Sequence, residues 1–156
     1  SHHHLNLLLR KYDMKRRARN QEIFSSPWRR SLRPLYGILH ATFTFTMGAI
    51  LFERLSSSQA SGLGAQDLLR ARFRCLEEVE SVGYSIRDLT CAADQLGWLS
   101  PSGVALVREL ASQIARVRRQ IAPFRGPVLR SRYGPALRRH ARTLARARAL
   151  YGKALE

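Results

Sequence analysis

The chain has 156 residues, enough for one small domain with extensions and too few for two sizeable ones. Its 27 Lys plus Arg against 11 Asp plus Glu give a net charge of +16 and a pI near 11.5. That balance points to nucleic acid or anionic lipid as a partner.

The charge is uneven along the chain. Residues 1–34 are net +7, residues 35–52 carry no Asp, Glu, Lys or Arg, residues 53–98 are net −2, and residues 99–156 are net +11. The chain opens on Ser1 rather than Met, which suits a segment left after removal of a mitochondrial targeting sequence. His2 to His4 read as a frayed terminus. Leu5, Leu8, Leu9 and Tyr12 recur at helical spacing before Lys15, Arg16, Arg17 and Arg19, so Leu5 to Asn20 is expected to form a basic amphipathic helix. Ser25, Ser26 and Pro27 break it, and Trp28 with Arg29 and Arg30 then has the make-up of an interfacial anchor.

Leu35 to Phe52, LYGILHATFTFTMGAILF, is the run on which the reading turns. As a helix it reaches roughly 27 Å, close to the ~30 Å hydrocarbon core of a bilayer. Thr hydroxyls are tolerated there because they bond to carbonyls of the preceding turn. The same run also fits a buried helix of a soluble protein, or a strand pair, since Thr42 to Thr46 alternates Thr and Phe. His40, the one unusual polar residue in the run, reads as neutral and hydrogen-bonded to a neighbouring helix.

Beyond it, LSSSQASGLG reads as a linker. Leu68, Leu69, Phe73, Leu76, Val79 and Val82 recur at spacings suited to a helix, interrupted at Gly83 and resumed by Ile86 and Leu89. Ser100-Pro101 is a helix start, and Val107, Leu110, Ile114, Val117 and Ile121 form a narrow apolar seam that Pro123 ends. Residues 123–134 are expected to be extended or turning. A last helix runs from about Pro135 to Tyr151, with its arginines spread round most of its surface. Cys75 and Cys91 read as two buried thiols rather than a disulfide, and Glu77, Glu78 and Glu80 as a solvated face.

The expected fold is therefore all-α: one candidate transmembrane helix followed by amphipathic basic helices. Its parts are a basic N-terminal segment (1–34), the apolar helix (35–54), a linker (55–64), a helical region (65–122) and a basic extension (123–156). With no phosphate-cradling loop, metal-ligand spacing or nucleophile elbow in the sequence, the reading is of a protein that is not an enzyme and uses no metal or cofactor.

Two resemblances sharpen these expectations. Trp28-Arg29-Arg30-Ser31, Thr42-Phe43 and Gly48-Ala49-Ile50-Leu51-Phe52-Glu53-Arg54 resemble the small single-pass subunit nine of the mitochondrial cytochrome bc1 complex (complex III). The Arg pair lies several residues further upstream than in that family, and the family's Asn-Gly-Lys-Leu-Trp segment is missing. The resemblance implies a non-catalytic accessory subunit of a respiratory-chain complex in the mitochondrial inner membrane, with a structural or assembly role. Its partners would be other subunits of a large membrane complex and anionic lipid such as cardiolipin. On that reading Arg29, Arg30, Arg33 and Arg54 meet headgroups or an anionic partner, and Gly37 and Gly48 let helices approach closely. Arg16 to Arg33 would lie on the matrix side. Separately, Ala122 to Leu129, Arg132 and the stretch Leu144 to Leu150 resemble bacterial-type small-subunit ribosomal protein eighteen. That resemblance implies a mitochondrial matrix ribosome and rRNA held by Arg138, Arg139, Arg142, Arg146 and Arg148.

Overall fold

The computed structural model describes residues 21–29, 31–57 and 62–152; Arg30 and the basic helix expected over Leu5 to Asn20 lie outside them. Leu35–Ser57 form one continuous helix, α1, followed by α2 (Ala65–Asp94), α3 (Pro101–Ile121), a short α4 (Arg125–Arg130) and α5 (Gly134–Tyr151). Ahead of α1 stands a small antiparallel hairpin, β1 (Phe24–Ser25) and β2 (Leu32–Arg33), in which Phe24 pairs with Arg33 and Ser25 with Leu32. The described residues are thus all-α but for this hairpin, and α1 alone among them is long and apolar enough to cross a membrane.

The Thr/Phe alternation is absorbed into helix. Leu35, Leu39, Thr42, Thr46, Ala49, Glu53 and Ser56 recur at steps of four and three and form the buried seam of α1. This is the period that lets one helix lie along another. α1 packs on α2 over much of its length and on α3, and α2 packs on α3, giving three mutually touching helices. α5 lies against α2 and α4 and also touches β1.

α3 begins where the sequence indicates. Ser100 Oγ accepts the Gly103 amide (3.2 Å), Pro101 occupies the first turn, and Val107, Leu110, Ile114, Val117 and Ile121 are all buried. Before it, Gly97 adopts φ 60° while the Trp98 amide reaches back to the Ala92 carbonyl (2.9 Å) and closes the end of α2. A residue without a Cβ suits that left-handed position.

Three expectations are corrected. α1 continues to Ser57, so the start of the linker is helical. α2 runs unbroken through Gly83, because the seam on either side keeps one register and packs continuously. Residues 122–130 are helical rather than extended: a 3-10 turn (Ala122–Phe124) leads into α4. Pro123 and Pro127 each fall in a first turn, where the missing amide hydrogen is not needed.

The interior holds two apolar clusters. One gathers Phe24, Leu35, Ile38, Leu39, Leu89, Leu99 and Val107 beneath the hairpin; the other gathers Ala49, Phe73, Leu76, Val79, Val82, Ile114, Val117 and Leu137. Buried hydroxyls of Thr42, Thr46, Ser81 and Ser85 mark the zone between them. Thr42 Oγ1 has one proton for two acceptors, the Ile38 carbonyl (2.8 Å) and Ser85 Oγ (2.9 Å).

Candidate functional site

The unusual surface is the outward side of α1. Its buried seam faces α2 and α3; Gly37, Thr44 and Gly48 project away from that seam, while Met47 and Leu51 lie at its α3 edge, where they line an open cleft with Leu106, Glu109, Gln113 and Arg116. Met47 is 42% exposed and Leu51 55%, whereas Thr42 and Thr46 are 0% exposed. Leu35, Ile38 and Leu39 are buried as on a water-facing helix, but two hydroxyls are buried with them while Met47 and Leu51 stay outside. A methyl group added at Gly48 meets nothing within 4 Å. At Gly37 it meets only the Arg33 side chain, whose Nε lies 3.2 Å away. The two glycines expected to admit a neighbouring helix therefore open away from the helices of this chain.

Arginines mark both ends of this face. Arg54 is exposed at the C-terminal end, one residue after Glu53, which turns inward to Arg116 (3.7 Å) and accepts the Ser57 hydroxyl (3.0 Å). At the N-terminal end, Arg29 and Arg33 line a cleft of about 510 Å³ together with Tyr36, Gly37, His40 and Thr44. Among the described residues no carboxylate lines that cleft. Trp28, expected as an interfacial anchor, is instead tied into the bundle. Its ring stacks on Phe45 (4.4 Å between centroids), and its Nε1–H donates to Glu78 (3.0 Å).

Glu77, Glu78 and Glu80 of α2, expected as a solvated face, are instead each paired with an arginine. Arg74 binds Glu77 and Glu78 (2.5 and 2.6 Å), and Arg125 binds Glu80 (2.7 Å). Burial raises the Glu78 carboxyl above its ordinary value, outweighing the Trp28 hydrogen bond and the Arg74 charge. Burial likewise raises Asp88 against the pull of Arg148. Cys75, buried beside Glu53 and Glu78, is pushed up to about 12 and stays a neutral thiol at physiological pH. Cys75 and Cys91 are not joined in a disulfide, and only Cys75 is fully buried.

On α5 the arginines are sorted, not spread. Arg138, Arg142 and Arg146 fall four residues apart, Arg139 sits beside them, and all four are exposed on one arc opposite buried Leu137 and Leu144. Arg148 belongs to the other side. It is bound to Asp88, donates to the Tyr84 carbonyl (2.8 Å) and covers the Tyr84 ring (3.9 Å). The set of five expected to meet an anionic partner thus divides into four outward cations and one internal fastener.

A further signal was present in the composition. Of the 27 cations, 24 are Arg and 3 are Lys, and every cation among the described residues is Arg. Arg is the residue suited to planar, bidentate contacts with phosphate and carboxylate. Comparison with family models, curated proteins and solved structures finds no match for this chain.

Proposed function

We propose that the chain is a non-catalytic accessory subunit of a membrane-bound respiratory assembly, most like complex III, anchored in the mitochondrial inner membrane by α1. One observation carries the reading: α1 bonds its buried hydroxyls to its own carbonyls and carries no Asp, Glu, Lys or Arg over residues 35–52. Thr42 reaches the Ile38 carbonyl (2.8 Å), Thr46 the Thr42 carbonyl (2.7 Å) and Ser56 the Phe52 carbonyl (2.6 Å). A helix that meets its polar needs internally is stable in hydrocarbon. The sequence Phe52-Glu53-Arg54 ends the run with charge, and on this reading Arg29, Arg33 and Arg54 meet headgroups.

The bundle sets a condition on this anchoring. Glu78 lies level with Phe45, near the middle of α1, through its bond to the stacked Trp28. A charge at that depth costs about 2.5–3.5 kcal/mol on insertion scales. Insertion therefore parts α1 from α2 and α3, and partner subunits take over the surfaces exposed. The polar ties broken among the described residues include Thr42 to Ser85, Glu53 to Arg116, Arg72 to the Ser56 carbonyl (3.5 Å), and the Cys75 thiol to the Ala49 carbonyl (3.5 Å).

Leu51→Arg tests the anchor separately from the fold. Leu51 is 55% exposed, so the bundle tolerates the change, whereas insertion loses about 3 kcal/mol. Loss of membrane integration with the melting temperature retained supports the reading; unchanged integration contradicts it.

The four-arginine arc of α5 supports a second reading, a mitochondrial small-subunit ribosomal protein on rRNA. In that case the bundle stays whole and each outward Arg neutralises about one phosphate.

A further inference from the structure

Between α3 and α5, across the middle of α2, lies an open groove of about 600 Å³. Ala111 and Ala115 of α3 face Ala141 and Ala145 of α5, with Ile114 and Leu144 between them on the floor. Small residues four apart on two facing helices leave room for another backbone to come close. Arg87 and Arg118 overhang the groove, and among the described residues neither has a carboxylate at ion-pair distance. Arg118 is laid there by Gly83, since a methyl group at that position would stand 2.5 Å from its Nη2. Glu80 also lines the groove. Its Oε1 holds Arg125, while its buried Oε2 has no hydrogen-bond partner.

We propose that this groove receives an acidic amphipathic helix of a partner protein. Two carboxylates of that helix meet Arg87 and Arg118, and its apolar side lies on the alanines with Ile114 and Leu144. The observations select this occupant by exclusion. A nucleic-acid backbone offers Arg87 and Arg118 an anion but has nothing apolar for the floor. An acyl chain fills the floor but leaves Arg87 and Arg118 without an anion. An acidic helix meets both demands, and the chain's charge of +16 favours acidic neighbours. The inference stands whether or not α1 enters a bilayer.

A photo-reactive benzoylphenylalanine placed at Ala145 of the full chain, in cells, reads the occupant directly. After irradiation of the native assembly, the adduct is expected to be one protein segment of helical pattern with two carboxylates three or four residues apart. Arg87→Glu, and separately Gly83→Ala, which pushes Arg118 aside, are each expected to lower its yield about tenfold. A probe at exposed Ala105 of α3 gives a yield that neither variant changes. An adduct with RNA or lipid, a protein segment without acidic residues, no adduct, or a yield unaffected by Arg87→Glu overturns the proposal. Circular dichroism of each variant confirms that the helices remain.

Discussion

The guanidinium of Arg118 lies directly over Gly83, and each explains the other. Glycine inside a long helix costs about 0.5–1 kcal/mol against alanine, yet α2 passes through Gly83 without a break. The reward for that cost is an arginine laid flat across the helix. Gly83→Ala is therefore expected to stabilise the chain by about 0.5–1 kcal/mol, because the group in the way is the movable end of an exposed side chain. Thermal unfolding followed by circular dichroism should show a higher midpoint. A lower one would mean that Arg118 is held there by more than the space over Gly83.

Arg148 and Arg142 sit on one helix and carry the same charge, yet their replacement should differ sharply. Arg148→Ala strips the partner from Asp88, which is 2% exposed, and is expected to cost about 2–3 kcal/mol in urea unfolding. Arg142→Ala, on the outward arc, should fall within about 0.5 kcal/mol of the parent chain. Equal effects would refute the sorting of α5 into an internal and an external face.

Glu78 makes a prediction about pH. Its pKa in the folded chain is raised above the ordinary 4.5, so folding binds its proton more tightly than the unfolded chain does. Its contribution is then most favourable below the unfolded value and is lost as pH rises through the folded one. Glu78→Gln, which keeps an acceptor for Trp28, should be at least as stable as the parent at pH 7. Its relative advantage should fade in acid, below the unfolded value. Urea unfolding at both ends of that range checks this; an advantage that grows in acid contradicts it.

Parting of α1 from α2 can be trapped. Thr42 Oγ1 and Ser85 Oγ are 2.9 Å apart, close enough for a cysteine pair there to form a disulfide with a small shift. In a chain lacking Cys75 and Cys91, Thr42→Cys with Ser85→Cys should cross-link readily in the purified protein and remain reduced in the assembled membrane form. Non-reducing gels of both pools decide the matter. A cross-link in the membrane pool would show α1 still docked on α2.

Local signals carried far in this sequence. Ser100 and Pro101 marked the start of α3, the 107–121 seam is buried as spaced, and the charge-free run became the long apolar helix. What failed depended on partners distant in sequence. The orientation of α1 was hidden because Thr42 and Thr46 lie inward beside Leu35, Ile38 and Leu39 while Met47 and Leu51 lie outside, so hydrophobic ranking alone does not pick the buried face. Arg148 could not be told from its neighbours until Asp88, sixty residues earlier, was seen beside it. Pro123 and Pro127 looked like breaks because their tolerance in a first turn shows only once the turns are located. The hairpin, two residues per strand, is too short to leave a period.

The anchoring of α1 is tested most directly by alkaline carbonate extraction of mitochondria containing the full chain, with both fractions blotted. The account predicts retention in the membrane pellet, and loss of that retention in Leu51→Arg. Release of the parent chain into the supernatant would contradict it, and co-sedimentation of the released chain with small ribosomal subunits would move the function to the arginine arc of α5.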